Sequence, residues 1–491
     1  MEKVVQLSKL INIIEREHVK GMLKSEGTYK PTQRFEKTVA ILVKFANDKT
    51  ILHAAEKLQE QNIKIDAFAK RIINSGDPEL NYLYAKNIEG ANVRAHGRAV
   101  QESCDLEYNL AFARDIKGAD RRAHGRVIIA SKDLEYNYRF PQEVKYADVK
   151  AHGKVIEESG DLEYNYKYAL AVKGADVLAH GRVIAENGNA EQNFEFARDI
   201  KGADIIAHGK VIIASKNPQL NFYYAKMEGA DILGHGKAVQ ESGSVLYNYK
   251  FALFIDGADV RAHGKVIIDS GDLGYNLAFA EIPGADVRAH GDIILQSKNA
   301  EYNYKFAKLP GADIEAHGKV IAESKDARYN YLFASMAQDI TPHRQAVIES
   351  GDADINYLFA KDFGGNEEEI KAHERVIINS KNATLAIKFA EIEGADVEAL
   401  GKVVVEYGSA EQIVGFAGHY RWAKLPNLQQ TLIKRVTKEN VHLLEIFKKL
   451  ALDTNTEELD EAISRISNIQ VSTRFSLNDI DLENDDVKIV E

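Results

Sequence analysis

One short phrase is repeated through most of the chain. A histidine followed by glycine, usually within Ala-His-Gly, recurs at His96, His124, His152, His180, His208, His235, His263, His290 and His317, and the same slot holds His343 and His373. The ten steps from residue 96 to residue 373 cover 277 residues, about 28 each. Phe68 and Leu400 fill the slot at the two ends, giving thirteen units between residues 62 and 418. A period of this size marks a solenoid, propeller or array. The 491 residues would otherwise suggest several independent domains; the period predicts one continuous array instead.

Each unit reads as two short helices, A and B. In residues 120–146, DRRAHGRVIIASKDLEYNYRFPQEVKY, helix A is apolar around most of its circumference and helix B carries the spacing L-x-x-N-Y-x-F. Ser131 closes helix A, Lys132 falls at a left-handed position and Asp133 caps helix B. Across units the left-handed position is Gly160, Gly188, Gly243, Gly271 or Gly351, or else a lysine, as a positive φ selects. The residue after it is Asp, Asn or Ser, whose side-chain oxygen can satisfy a free N–H of the first turn. Pro78 and Pro218 follow such caps at the position proline tolerates best. A second glycine, such as Gly118, Gly174 or Gly202, ends helix B, and the Asp of Gly-Ala-Asp opens the next helix A. The expected fold is all-α, an α/α solenoid of about thirteen 27–28-residue two-helix repeats over residues 62–418. Residues 1–61 and 419–475 are helical in pattern without the repeat and are expected to cap its ends; HLLEIFKKLAL, 442–452, reads as an amphipathic helix. Residues 476–491 hold six acids against Lys488 and form an acidic tail.

The units resemble the α/α superhelical class to which tetratricopeptide and HEAT repeats belong. Ankyrin is excluded by a missing T-P-L-H and a short period, and leucine-rich repeats by the absence of L-x-x-L-x-L. More narrowly, the string SGD-x-EYNY-x-FA-x-x-x-x-GAD-x-x-AHG, which covers about 350 residues, is similar to tandem repeats of poorly characterised bacterial and bacteriophage proteins. That resemblance implies a microbial or viral intracellular protein that modulates or inhibits another protein; it brings no assigned chemistry.

Thirteen residues after each slot stands an asparagine: Asn81, Asn109, Asn137, Asn165, Asn193, Asn221, Asn248, Asn276, Asn303, Asn330 and Asn356. The eleven Asn and eleven His are offset by one unit. Pairing each Asn with the following His leaves no orphan, and at Ala386 and Leu400 both polar groups vanish together. The expectation is a buried ladder in which each Asn hydrogen-bonds the imidazole of the next unit, because an unpartnered buried imidazole or amide costs about 1–3 kcal/mol. A pH switch through imidazole protonation is the other reading of these histidines. A metal is not expected, since rungs roughly 10 Å apart cannot share an ion whose ligands sit about 2 Å away. The glycine after each His lies inside a helix at a cost of about 1 kcal/mol, which suggests close approach of a neighbouring helix backbone.

Two further rows face outward. Two residues after the His, a basic side chain stands in nine of eleven units, and six of these have an acid four residues on, from Arg98–Glu102 to Lys319–Glu323; such pairs are expected to neutralise one another. Arg126, Lys210 and Arg375 lack the acid and are the candidate basic contacts. Before the ladder Asn stand Tyr108, Tyr136, Tyr164, Tyr247, Tyr275, Tyr302 and Tyr329, which either pack between adjacent B helices or line a partner-binding groove. Residues 335–370, where the repeat is irregular, are the preferred specialised contact region. No nucleophile–base set, phosphate loop or carboxylate pair stands out, so neither enzyme nor cofactor is expected. The net charge of −11 speaks against a dedicated nucleic-acid binder, which is kept as the alternative, one that grips the phosphate backbone. A single cysteine, Cys104, no long apolar run and a start without a signal-peptide core predict a cytoplasmic chain in a bacterium or its phage-infected host, with no membrane contact. The expected function is a non-enzymatic scaffold that holds a protein partner along the solenoid groove.

Overall fold

The computed structural model describes residues 2–23, 31–420, 427–451 and 456–468. Among them stand thirty-two helices and no strand, succeeding one another as packed pairs, an all-α tandem-repeat solenoid. The chain divides into two compact units, Met1–Val266 and Ile267–Glu491. Trp422 and the acidic tail lie outside the described residues. The stretch expected to be amphipathic is helical over His442–Leu450 and buries Leu443, Leu444 and Phe447.

The local rules of the repeat can be followed through one pair of helices. Asp148 caps helix A, Val149–Ser159, by accepting the Ala151 N–H at 3.1 Å. Gly160 then turns left-handed at φ 69°, and Asp161 caps helix B, Leu162–Ala171, by accepting the Tyr164 N–H at 2.9 Å. Between them the Ser159 hydroxyl donates to Ile156 O at 2.6 Å and accepts from Asp161 N at 3.1 Å. The tripeptide Ser-Gly-Asp thus satisfies backbone groups that a helix end leaves open. Where lysine replaces the glycine, at Lys132, Lys216, Lys298, Lys325 and Lys381, φ stays positive at 53–59°. Gly188 departs from the expected left-handed turn: its φ is −86°. A capping box between Asn189 and Gln192 starts the next helix there, so the chain leaves helix A in an extended conformation and needs no αL residue.

The mid-helix glycines meet side chains, not the backbone of a neighbouring helix. A Cβ on Gly153 would stand 3.0 Å from the Tyr168 ring of the same unit and 3.2 Å from His180 Nε2 of the next. The same two groups, the helix-B ring and the following imidazole, close on Gly97, Gly125, Gly181, Gly209, Gly236, Gly291 and Gly318. Glycine is therefore the residue that lets ring and imidazole stack where a methyl group would intrude. The exceptions are His343-Arg344 and His373-Glu374, in the irregular region. There helix A grows to Glu367–Ser380 and is preceded by Gly364-Gly365.

Two glycine substitutions are expected to act in opposite directions. In Gly318→Ala the new methyl would lie 2.6 and 2.7 Å from two carbons of the buried Phe333 ring, and overpacking costs about 1–3 kcal/mol. Gly415→Ala, in helix Ala410–Tyr420, meets nothing within 4 Å and should gain up to about 1 kcal/mol of helix propensity. Thermal or denaturant unfolding of the two variants measures both signs.

Candidate functional site

Each ladder asparagine serves three partners at once. Asn165 Nδ2 donates to Ile156 O, near the end of its own helix A, at 2.9 Å and to Asp161 O, at the start of its own helix B, at 2.8 Å. Its Oδ1 is left to accept from His180 Nδ1 of the following unit at 2.7 Å. The pattern repeats without a break. Seven rungs, from Asn81–His96 to Asn248–His263, lie in the first compact unit. Four more, from Asn276–His290 to Asn356–His373, lie in the second. All twenty-two side chains are buried, none more than 3% exposed. The partners stand 13 to 17 residues apart in sequence, so every rung joins one repeat to the next.

Because the amide N–H groups are committed to backbone carbonyls, the asparagine oxygen can only accept, and the imidazole proton sits on Nδ1. Nε2 then faces the preceding unit, against its glycine in rungs such as Gly97–His124, Gly181–His208 and Gly236–His263. It has no hydrogen-bond partner in His96, His124, His208, His235, His263, His290 and His373. The aromatic ring of the preceding helix B covers each imidazole, with centroids 4.7 Å apart at Tyr84–His96 and 5.5 Å at Phe359–His373. Protonating Nε2 would place an unpaired donor and a charge in this apolar cage. Burial accordingly holds His96, His124, His152, His180, His235, His263, His290 and His373 down to about 4 and lowers His208, His317 and His343 as well. The capping aspartate four residues before most of them, such as Asp148 before His152, opposes the shift more weakly. Among the described residues no three His, Cys, Asp or Glu side chains gather as a metal site.

Tyr108, Tyr136, Tyr164, Tyr247, Tyr275, Tyr302 and Tyr329 are all half-buried. Several lean on the ring that follows the ladder Asn of the preceding unit, as in Tyr82–Tyr108 at 5.9 Å and Tyr304–Tyr329 at 5.9 Å. The Tyr136 and Tyr164 hydroxyls donate to Glu107 and Glu135 of the preceding helix B, both at 3.1 Å. These tyrosines pack between successive B helices and remain partly exposed.

The basic row is freer than its spacing suggests. Lys154–Glu158 closes at 3.6 Å, whereas Glu241 turns to Lys216 at 2.8 Å and away from Lys237. Arg98, Arg182, Lys237 and Lys319 form no direct ion pair among the described residues, nor do Arg126, Lys210 and Arg375, and all seven are exposed. An exposed i,i+4 pair is worth only a few tenths of a kcal/mol, too little to hold long side chains out of water.

In the irregular region, two charged side chains that sequence reasoning passed over replace the helix-A glycine. Buried Arg344 donates to Gly364 O and lies over the Phe359 ring at 5.4 Å. Buried Glu374 accepts the Asp396 N–H at 2.6 Å, and burial pushes its carboxyl up. His-Arg and His-Glu in place of His-Gly were the signal. Between Gly364-Gly365 and the turn 391–395 lies an open cleft of about 690 Å³, with Glu367, Glu391 and Glu393 on its rim. Also missed were the exposed apolar side chains Leu178, Ile206 and Leu233, which occupy a slot that is basic in neighbouring units.

No protein-family model and no curated protein matches the chain. Among solved structures, four chains match. One, a "Circular tandem repeat protein with novel repeat topology and enhanced subunit contact surfaces", is 13% identical over 94% of each chain with a TM-score of 0.13. The fold assignment therefore rests on the chain's own helices. No helix among the described residues is long and apolar enough to cross a membrane.

The rung geometry predicts strong coupling between its halves. Asn165→Ala should destabilise more than His180→Leu, because it also strips the donor from Ile156 O and Asp161 O. The double variant should cost less than the sum by about 1–2 kcal/mol. Denaturant titration of the four proteins measures this, and additivity would remove the rung as an energetic unit. Acid should also unfold the chain. The folded state keeps the imidazoles neutral while the unfolded chain takes up protons near 6.5. Stability is thus full above that pH and falls as pH drops from about 6.5 toward about 4, where most folded histidines titrate. Each contributes a slope of up to about 1.4 kcal/mol per pH unit. Circular dichroism across this window, repeated on His180→Leu, reads the slope and its reduction.

Proposed function

We propose that this chain is a non-enzymatic scaffold that binds a protein partner along the solvent-facing rows of its repeats. The observation that carries this reading is the division of labour within the unit. Its chemically versatile residues, the histidine and the asparagine, are buried and bonded to each other in all eleven rungs. What varies from unit to unit is the exposed face. A rigid interior under a variable surface is how repeat proteins present extended recognition surfaces. The half-buried tyrosines and the free cations Arg126, Lys210 and Arg375 supply aromatic and charged contacts of the kind that dominate protein interfaces. The similarity of the repeats to those of bacteriophage proteins favours a partner whose activity is modulated or inhibited by the contact.

A second reading draws on the unpaired cations of helix A, which suit the phosphate backbone of a nucleic acid. Salt separates the two. Five phosphate contacts would give a log–log slope of about −4 to −5 against salt concentration. The scaffold reading expects weak nucleic-acid binding that vanishes near physiological salt, and affinity capture from native cells of a protein that stays bound after nuclease treatment. Capture abolished by nuclease, together with the steep slope, would replace it with the second reading.

A further inference from the structure

We infer that the first compact unit carries a docking edge for an acidic segment of a partner protein that bears apolar side chains; this rests on, and deepens, the scaffold reading above. The slot two residues before the ladder histidine lies on the exposed first turn of helix A. It is Arg94, Arg122 and Lys150 in three successive repeats and Arg261 in a later one. In the three repeats between them it is Leu178, Ile206 and Leu233, which are 56%, 49% and 68% exposed. One exposed leucine requires no explanation, but three in register within a row of cations do. The enrichment extends beyond the row. Of eleven exposed large apolar side chains described between residues 62 and 418, nine fall within residues 146–254.

The same edge holds a cleft. It lies between the turn 225–232 and Phe254, has a volume of about 360 Å³, and has Lys226, Glu228 and Asp256 at its wall. Phe254 is 58% exposed, and the Lys226 ammonium stands 4.4 Å from the Phe222 ring centroid and 5.8 Å from that of Phe254. A large apolar side chain fits there; the cleft's own charges are mixed, so the preference for acids is carried by the cations of the row.

Charge decides what kind of segment the edge receives. Arg94, Arg122, Lys150 and Arg261 make no ion pair among the described residues, so an apolar centre is bordered by free cations. Its complement is apolar at the centre and acidic around it. Packed helices lie about 8–10 Å apart, and an extended polyproline-like segment rises about 3.1 Å per residue with three residues per turn. Every third side chain of such a segment therefore meets the next helix, with acids between. A nucleic acid would use the cations but gain nothing from the leucines. A membrane would need a continuous apolar face, whereas here each helix offers one apolar side chain with Arg182, Lys210 or Lys237 one turn on.

The test uses the full chain and a fluorescein-labelled peptide of repeating Leu-Asp-Glu, with repeating Ala-Asp-Glu as the comparison. The Leu peptide should bind about tenfold or more tightly than the Ala peptide. The double variant Ile206→Glu/Leu233→Glu should lose about tenfold or more of that affinity. Both sites are exposed, so unchanged thermal unfolding is expected to show the fold intact. Ile314→Glu, exposed in the second compact unit, should bind as the parent does. Equal affinity for the two peptides, or a double variant that binds like the parent, would overturn the docking edge. So would tighter binding of a thymidine oligonucleotide or of phosphatidylserine vesicles that is lost in the same variant. If the double variant still captures a nuclease-resistant protein from cells, the edge fails and the scaffold reading stands; if no such protein is captured by the parent chain, the scaffold reading itself fails.

Discussion

The side-chain amide of one asparagine per repeat ties together three pieces of chain that the backbone alone leaves independent. In Asn165 it bonds the end of helix A, the start of helix B and the imidazole of the next repeat. A helix pair of this size cannot bury its own apolar face, and apolar stacking alone sets neither register nor rotation between neighbours. A directional bond of 2.7–2.8 Å, buried and repeated eleven times, supplies both. Such a bond adds little net free energy when made and costs far more when one partner is missing, so the ladder acts mainly by excluding other registers. Ala386 and Leu400, both fully buried, show the alternative that keeps the stack without the polar pair.

The rest of the interior follows from accommodating that rung. An imidazole held by Nδ1 leaves Nε2 facing the preceding repeat, and the stacked ring must lie alongside. In most repeats a glycine leaves room for both, while the first rung stacks Tyr84 on His96 with Ala69 at that position. The neutral tautomer is then the one the cage tolerates, which depresses the histidines and couples folding to pH. Arg344 breaks the glycine rule, and there the Asn-to-His separation grows to 17 residues and the ring-to-imidazole distance to 5.5 Å. The extra loop residues, with Gly364 accepting from Arg344, make space for a side chain where other repeats have none.

With the interior so constrained, sequence freedom lies on the surface. The outer turn of helix A accepts Arg, Lys, Leu or Ile without disturbing a rung, so a patch such as Leu178, Ile206 and Leu233 can arise at small cost to folding. The tyrosines of helix B are less free, because their rings fill the seams between helices. This contrast leaves the A-helix edge freer to vary than the aromatic row.

Much of the architecture was legible in the sequence because it is local. The period, the capping Asp or Asn, the left-handed Gly or Lys and the offset between the Asn and His sets all depend on residues within about two repeats of one another, and periodicity displays them over and over. What the tertiary structure alone decided are matters of three-dimensional contact. Sequence spacing placed Glu241 beside Lys237, but the folded chain brings it to Lys216, because an exposed charge pairs with whichever cation is nearest. The helical glycine suggested a neighbouring backbone, but a ring and an imidazole fill the space, since side-chain direction is set by packing between repeats. Gly188 suggested a left-handed turn, but a capping box removed the need for it. The repeat determined the fold of each unit through local hydrogen bonds; the surface on which a partner would act was decided by which side chains those units, once stacked, leave exposed.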